Sequence, residues 1–177
     1  VFLFGVLPMV RARKLGRVLV GDEWDCTQLE TYAGIEHYNG YFDQSRFFDE
    51  AITRYTHRKG WNLVQCSILR PLSEMLIEDV LSGRYPELFA TQVSCHAARV
   101  EGERALPCGK CEKCRRIVGM LTGLGRDPGA IGYGPDAVQR CLHTLAQKGA
   151  KQEEDGQHLA AVLVDAGHVP AGSPYAA

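Results

Sequence analysis

The chain has 177 residues, 45% of them hydrophobic, with 20 Lys plus Arg against 21 Asp plus Glu and a formal net charge of -1. That length can bury a substantial core, and the balanced charge gives no reason to expect a nucleic acid or an anionic membrane as partner. The longest apolar run, VFLFGVLPMV, is well short of the roughly 18–20 residues that cross a bilayer, and no small-residue cleavage site follows a charged leader, so a cytoplasmic location is expected.

In chain order, residues 2–14 read as a helix whose apolar face ends at Arg11, Arg13 and Lys14, with Gly16 as its stop. Val1 is not an initiator Met, and an apolar opening segment needs something to pack on, so a preceding N-terminal portion is expected. RVLVG, 17–21, then reads as a short buried strand. Helix, glycine, strand and polar loop make an α/β unit, in which ligands gather beyond the carboxyl ends of the strands. GDEWD sits at that end, making Asp22, Glu23 and Asp25 candidates for contact with substrate, a nucleotide or Mg²⁺. Solvated loop carboxylates are the plainer alternative.

TYAGIEHYNGYFDQS, which carries His37 and Asp43, shows no sustained period and reads as a long loop, the kind that often carries function. FFDEAITRYTHRKG, 47–60, reads as a helix closed by Gly60, and WNLVQCSILR, 61–70, as a strand ended by Pro71. PLSEMLIEDVLSG has apolar residues at 72, 75, 76, 77, 80 and 81. That rhythm predicts a helix with Pro71 near its first turn, Ser73 and Glu74 as surface or capping groups, and Gly83 as its stop.

Four of the seven cysteines then fall within 20 positions: Cys95, and after twelve intervening residues Cys108, Cys111 and Cys114 in PCGKCEKC. Thiolates at this spacing can converge on one tetrahedral Zn²⁺ at about 2.3 Å each, and a reducing compartment disfavours disulfides. Gly109 lets the chain turn tightly so that backbone amides reach sulfur, and Cys114 is expected to open a helix. Four thiolates and Zn²⁺ leave a formal charge of -2, which Arg99, Arg104, Lys110, Lys113, Arg115 and Arg116 lie close enough in sequence to offset. A [4Fe–4S] cluster competes, although the Cys-Pro that continues the ferredoxin run is replaced by Arg115-Arg116. His96 is an alternative ligand, and ordinary thiols are the plain alternative. Closed coordination by four cysteines leaves no position for water, so the expected role is structural. Cys26, Cys66 and Cys141 read as scattered small hydrophobes or loose thiols.

RRIVGMLTGLG continues as a helix through Leu124, RDPGAIGYGP is a turn-rich linker, and residues 136–149 and 157–167 read as two further helices. KQEEDGQ reads as a solvated connector and PAGSPYAA as a frayed end. The expected organisation is an α/β segment with a partial parallel sheet and flanking helices over 1–125, including the cysteine site at 95–114, and a small helical extension over 126–177.

The order of these pieces over about residues 6–125 resembles the later part of PP-loop ATP pyrophosphatases, especially the 7-cyano-7-deazaguanine synthase branch of queuosine-type biosynthesis. The residues that carry the likeness are VLVGDEWD, GYFDQSRFFDEA, ILRPLSEMLIEDVL and SC…PCGKCEKC. Muramoyl-peptide glutamate epimerases are similar in the cysteine pattern and the LRPLSE step. The resemblance implies an ATP-binding, Mg²⁺-dependent ligase or synthase that places a small carboxylate on the α-phosphate of ATP and releases pyrophosphate. Backbone donors of a Ser-Gly-Gly-x-Asp-Ser loop would hold the leaving group. Neither that loop nor G-x-x-x-x-G-K-[ST] occurs here, so these residues alone are not expected to turn over ATP. GDEWD also lacks the His of the branch's usual loop. The candidates for substrate or Mg²⁺ contact are therefore Asp22, Glu23, Asp25 and Asp43 by position, with catalytic residues unassigned. The expected partners are ATP and a small carboxylate, with a homodimer left open. Two alternatives stand beside this: a noncatalytic zinc ribbon that binds nucleic acid or protein through its basic residues, and an iron–sulfur relative that thiolates tRNA.

Overall fold

The computed structural model describes residues 2–38, 41–95, 97–148 and 154–174. The chain divides into two compact units, Val1–Ser73 and Glu74–Ala177. The boundary drawn from the sequence at residue 125 thus falls inside the second of them.

The first unit opens with α1 (Phe2–Ala12), which contains Pro8. The helix ends before Gly16. Lys14 takes the left-handed conformation at φ +51°, and two C-terminal bonds, Lys14 N–H to the Arg11 carbonyl and Leu15 N–H to the Val10 carbonyl, close it. Strand β1 (Arg17–Val20) pairs in parallel with a later strand, β4 (Val64–Ser67), in the register Arg17 with Val64 and Val20 with Ser67. This is the parallel sheet that the α/β pattern predicts, but among the described residues it has two strands. Leu19 is 57% exposed, so β1 is not the buried strand expected. Leu7 and Val10 of α1 pack with Leu63, just ahead of β4, to form a small core.

Between the two strands, the segment expected to be a loop contains a hairpin, β2 (Leu29–Tyr32) with β3 (Ile35–Tyr38). Its two-residue turn, Ala33-Gly34, has φ +51° and +79°, the positive pair that matches strand twist. Nearly every side chain of the hairpin faces solvent, which leaves no alternation to read. A 3₁₀ turn follows at Phe42–Gln44, then α2 (Arg46–Arg58), whose N-cap Ser45 accepts from the Phe48 amide. Gly60, at φ +73°, ends α2 as expected.

In the second unit, α3 (Glu74–Arg84) runs through Gly83, which therefore is not its stop, and a short α4 (Pro86–Phe89) follows Tyr85. A small hairpin, β5 (Arg99–Glu101) with β6 (Arg104–Leu106), leads to α5 (Glu112–Gly123). A 3₁₀ turn at Pro128–Ile131 precedes α6 (Pro135–Gln147) and α7 (Glu154–Asp165). The core of this unit centres on α5, where Val118 and Leu121 are fully buried among Met75, Phe89, Leu159, Leu163 and Val169. A Cβ at Gly119 would come within 2.9 Å of Leu145, so the close approach of α6 to α5 depends on a residue without one. The tail is less frayed than its composition suggests. Ser173 is buried and its amide bonds the Pro170 carbonyl, while residues 175–177 lie outside the described residues. No described helix is long and apolar enough to cross a membrane.

Candidate metal centre

The four clustered cysteines meet. Their sulfur atoms all lie within 4.8 Å of one another. Cys95 to Cys111 is 3.9 Å, Cys108 to Cys114 is 3.8 Å and Cys111 to Cys114 is 3.4 Å. Four sulfurs at about 2.3 Å around a tetrahedral ion stand about 3.8 Å apart, whereas a disulfide needs about 2.05 Å. All seven cysteines are free thiols. A four-iron cluster places its own atoms between the thiolates and requires them to spread more widely than a single ion does. His96, the alternative ligand, lies outside the described residues.

Local chemistry builds this convergence. Gly109 sits at φ +65° and turns the chain between Cys108 and Cys111. Cys111 is the N-cap of α5, its sulfur accepting the Cys114 amide at 3.4 Å, so α5 opens at Glu112 with Cys114 in its first turn rather than at its start. The amides of Ala97 and Cys108 both reach the Cys95 sulfur at 3.3 Å. Amide donors and the positive end of a helix both favour thiolate. Burial opposes ionisation of Cys108, but the Lys110 and Cys111 amides with the Cys95 and Cys114 thiols overcome it and lower its pKa to about 6. Cys114 is 0% exposed, and burial pushes its thiol up to about 12 despite the hydrogen bond from Tyr133.

The helical extension supplies a wall that the sequence reading did not assign to the site. Burial and the Cys114 contact raise the pKa of the Tyr133 hydroxyl, which donates to that sulfur. Cys141, itself buried, has its thiol 3.5 Å from the Gly109 carbonyl. A Cβ on Gly109 would lie 2.7 Å from that of Ala137 on α6. The only available signal was the GYGP stretch, a lone aromatic residue between two glycines. Of the six basic residues expected to offset the thiolates, Arg99 is paired with Glu101 at 2.6 Å and Arg116 with Glu74 at 2.5 Å. Arg115 and Arg104 donate to the Lys110 and Ala90 carbonyls.

In the first unit the acidic candidates differ in their surroundings. Asp22 follows β1 and is buried against Arg70, whose Nη2 is 3.4 Å from Asp22 Oδ2 and 2.6 Å from Asp49 Oδ2. Gln65 Nε2 donates to the other Asp49 oxygen at 2.7 Å, and Arg70 Nη1 donates to the Gln44 carbonyl. Burial raises the Asp22 pKa to about 6; Arg70 opposes the shift, and Asp49, Glu23 and Asp43 add to it. Glu23 stands at the N-cap position of the 3₁₀ turn Trp24–Thr27 with no side-chain capping bond, and accepts weakly from Cys26 at 3.7 Å. Asp25 is buried within that turn, and Asp43 is exposed in the second 3₁₀ turn. Among the described residues the cysteines are the one group of three or more His, Cys, Asp or Glu close enough to share an ion, so these four carboxylates form no such group. Arg70, Asp49 and Gln65 escaped the sequence reading, although Arg70 stands just beyond β4, where an α/β unit puts its ligands.

No known family, curated protein or solved structure matches the chain.

Proposed function

We propose that Cys95, Cys108, Cys111 and Cys114 hold one structural Zn²⁺. We propose further that the chain is the zinc-bearing part of a cytoplasmic ATP-dependent enzyme that activates a small carboxylate and forms AMP and pyrophosphate, similar in kind to deazaguanine synthases. The observation that carries the first statement is the tetrahedral spacing of four sulfurs, which together leave no position for water or substrate on the ion. The enzyme reading is supported by the order of parts. A parallel α/β unit with charged side chains beyond both strand ends precedes the cysteines. Zinc supplies no chemistry to the reaction in this reading; bound by four thiolates, it fixes the Cys108–Cys111 turn to the start of α5.

Metal analysis of the purified protein tests the first statement: one zinc per chain and no visible absorption are expected, and a brown protein with iron and sulfide would replace zinc with a cluster. Carboxylate-dependent exchange of pyrophosphate into ATP, measured on the protein expressed from its complete reading frame, tests the second. Exchange is expected; its absence with ATP, Mg²⁺ and a broad carboxylate panel, together with salt-sensitive RNA binding, would favour the noncatalytic ribbon.

A further inference from the structure

Glu78 of α3 is 4% exposed, and no ion pair among the described residues includes it. Gln92 Nε2 donates to its Oε1, and the same nitrogen stands 3.5 Å from Ser94 Oγ, one residue before Cys95. Two atoms of the pair are left over: Glu78 Oε2 and Gln92 Oε1 are both buried without a hydrogen-bond partner. In an ionised carboxylate and an amide carbonyl both atoms are acceptors, so neither can satisfy the other. One hydrogen on Oε2 changes that, because a neutral acid offers a donor as well as an acceptor, and acid and amide can then exchange two hydrogen bonds.

The surroundings favour the neutral form. A buried carboxylate without a cation tends to take up a proton rather than keep its charge. Burial raises the pKa of Glu78 above the ordinary 4.5, with the Gln92 hydrogen bond opposing. The cations on the neighbouring elements are engaged elsewhere: Arg116 by Glu74, Arg126 by Asp79 and Arg115 by the Lys110 carbonyl. Arg84 and Glu87, Glu112 and Lys113 on α5, and His158 and Asp165 on α7 are exposed. None of these charges is a cause of the Glu78 shift.

We propose that Glu78 is a neutral acid paired reciprocally with the Gln92 amide, its Oε2–H donated to Gln92 Oε1, and that this pair tethers the segment delivering Cys95. Glu78 acts through Gln92, three residues ahead of that cysteine, and is a positioning residue. When it ionises, the Oε2 proton passes to solvent, two acceptors are left facing no donor, and the tether weakens. The proposal deepens the metal reading by naming what places the first ligand, and rests on that reading only for its effect on zinc.

Infrared difference spectra of the purified full chain, wild type against Glu78→Gln at pH 5.5, test the protonation. An ordinary glutamate is about nine-tenths ionised there, so a protonated-carboxyl band is expected in wild type and not in the variant; its absence from wild type would overturn the proposal. Gln at position 78 can keep both hydrogen bonds but has no proton to lose. The pair's stability in wild type is present below pH 4.5 and lost as pH rises through the folded-state value. The unfolding constant of wild type relative to Glu78→Gln in urea should therefore climb above pH 4.5, by up to about tenfold per unit; a constant ratio up to pH 7 would contradict the pair. By chelator competition at pH 6, Gln92→Leu should lose at least threefold of zinc affinity and Glu78→Gln should bind at least as tightly as wild type. Unchanged affinity in Gln92→Leu would remove the tether. A protein that shows the band but takes up no zinc refutes the metal reading alone, and zinc uptake without the band refutes this inference alone.

Discussion

Gly109→Ala is the perturbation that most directly interrogates the metal centre, because two separate costs fall on one methyl group. At φ +65° a side chain is strained whatever space surrounds it, at roughly 1–2 kcal/mol. The new Cβ would also stand 2.7 Å from the Ala137 Cβ, and overpacking a tight contact costs about 1–3 kcal/mol. We predict a loss of about 2–5 kcal/mol in denaturant unfolding of the zinc-loaded protein. Because the same turn sets the Cys108 and Cys111 sulfurs, a measurable drop in zinc affinity by chelator competition should accompany it. The companion variant Ala137→Gly separates the two costs: combined with Gly109→Ala it should restore the packing share and leave the conformational share. An unfolding free energy for Gly109→Ala within about 0.5 kcal/mol of wild type, with zinc affinity intact, would refute the geometry assigned to the turn.

Three further predictions concern other groups. Tyr133→Phe should weaken zinc binding by about 10–100-fold, as loss of an outer hydrogen bond to a metal ligand does, with little change in the circular dichroism of the loaded protein; unaltered affinity would remove Tyr133 from the site. Zinc affinity should rise by at least about one decade per pH unit near neutrality, since the Cys114 thiol, held at about 12, must release its proton to bind; proton release measured on loading in two buffers of different ionisation heat checks it. Asp22 in the folded state keeps its proton up to about pH 6 against 3.8 for the ordinary carboxyl, so its contribution to stability is present below about pH 4 and lost as pH rises through 6. Asp22→Asn should therefore gain on wild type over that window, by an amount on the order of 3 kcal/mol, in parallel urea titrations; a constant difference from pH 4 to 7 would contradict the burial assigned to Asp22.

The metal centre was legible because its information is local. Cysteine spacing and Gly109 specify a turn, and Cys111 and Cys114 begin a helix within the same few residues. The parallel pair β1 and β4 was legible from apolar density flanked by glycine and proline. The hairpin at Leu29–Tyr38 was not, because its type of turn is set by φ at Ala33 and Gly34 and its side chains lie in solvent on both faces. Gly83 misled for a related reason, since glycine permits a helix end without requiring one. The Asp22, Asp49, Gln65 and Arg70 cluster needed the tertiary structure, which brings together residues up to 48 positions apart. Tyr133 likewise reaches the Cys114 sulfur, and Cys141 the Gly109 carbonyl, only through the packing of the second unit.

Cys111 caps the helix whose Val118 and Leu121 form the centre of the second unit's core, and Cys114 lies in that helix's first turn. With Zn²⁺ bound as proposed, starvation for the ion would thus loosen the hydrophobic interior from its rim inward, and would turn an inorganic nutrient into a determinant of the protein's lifetime against cellular proteases.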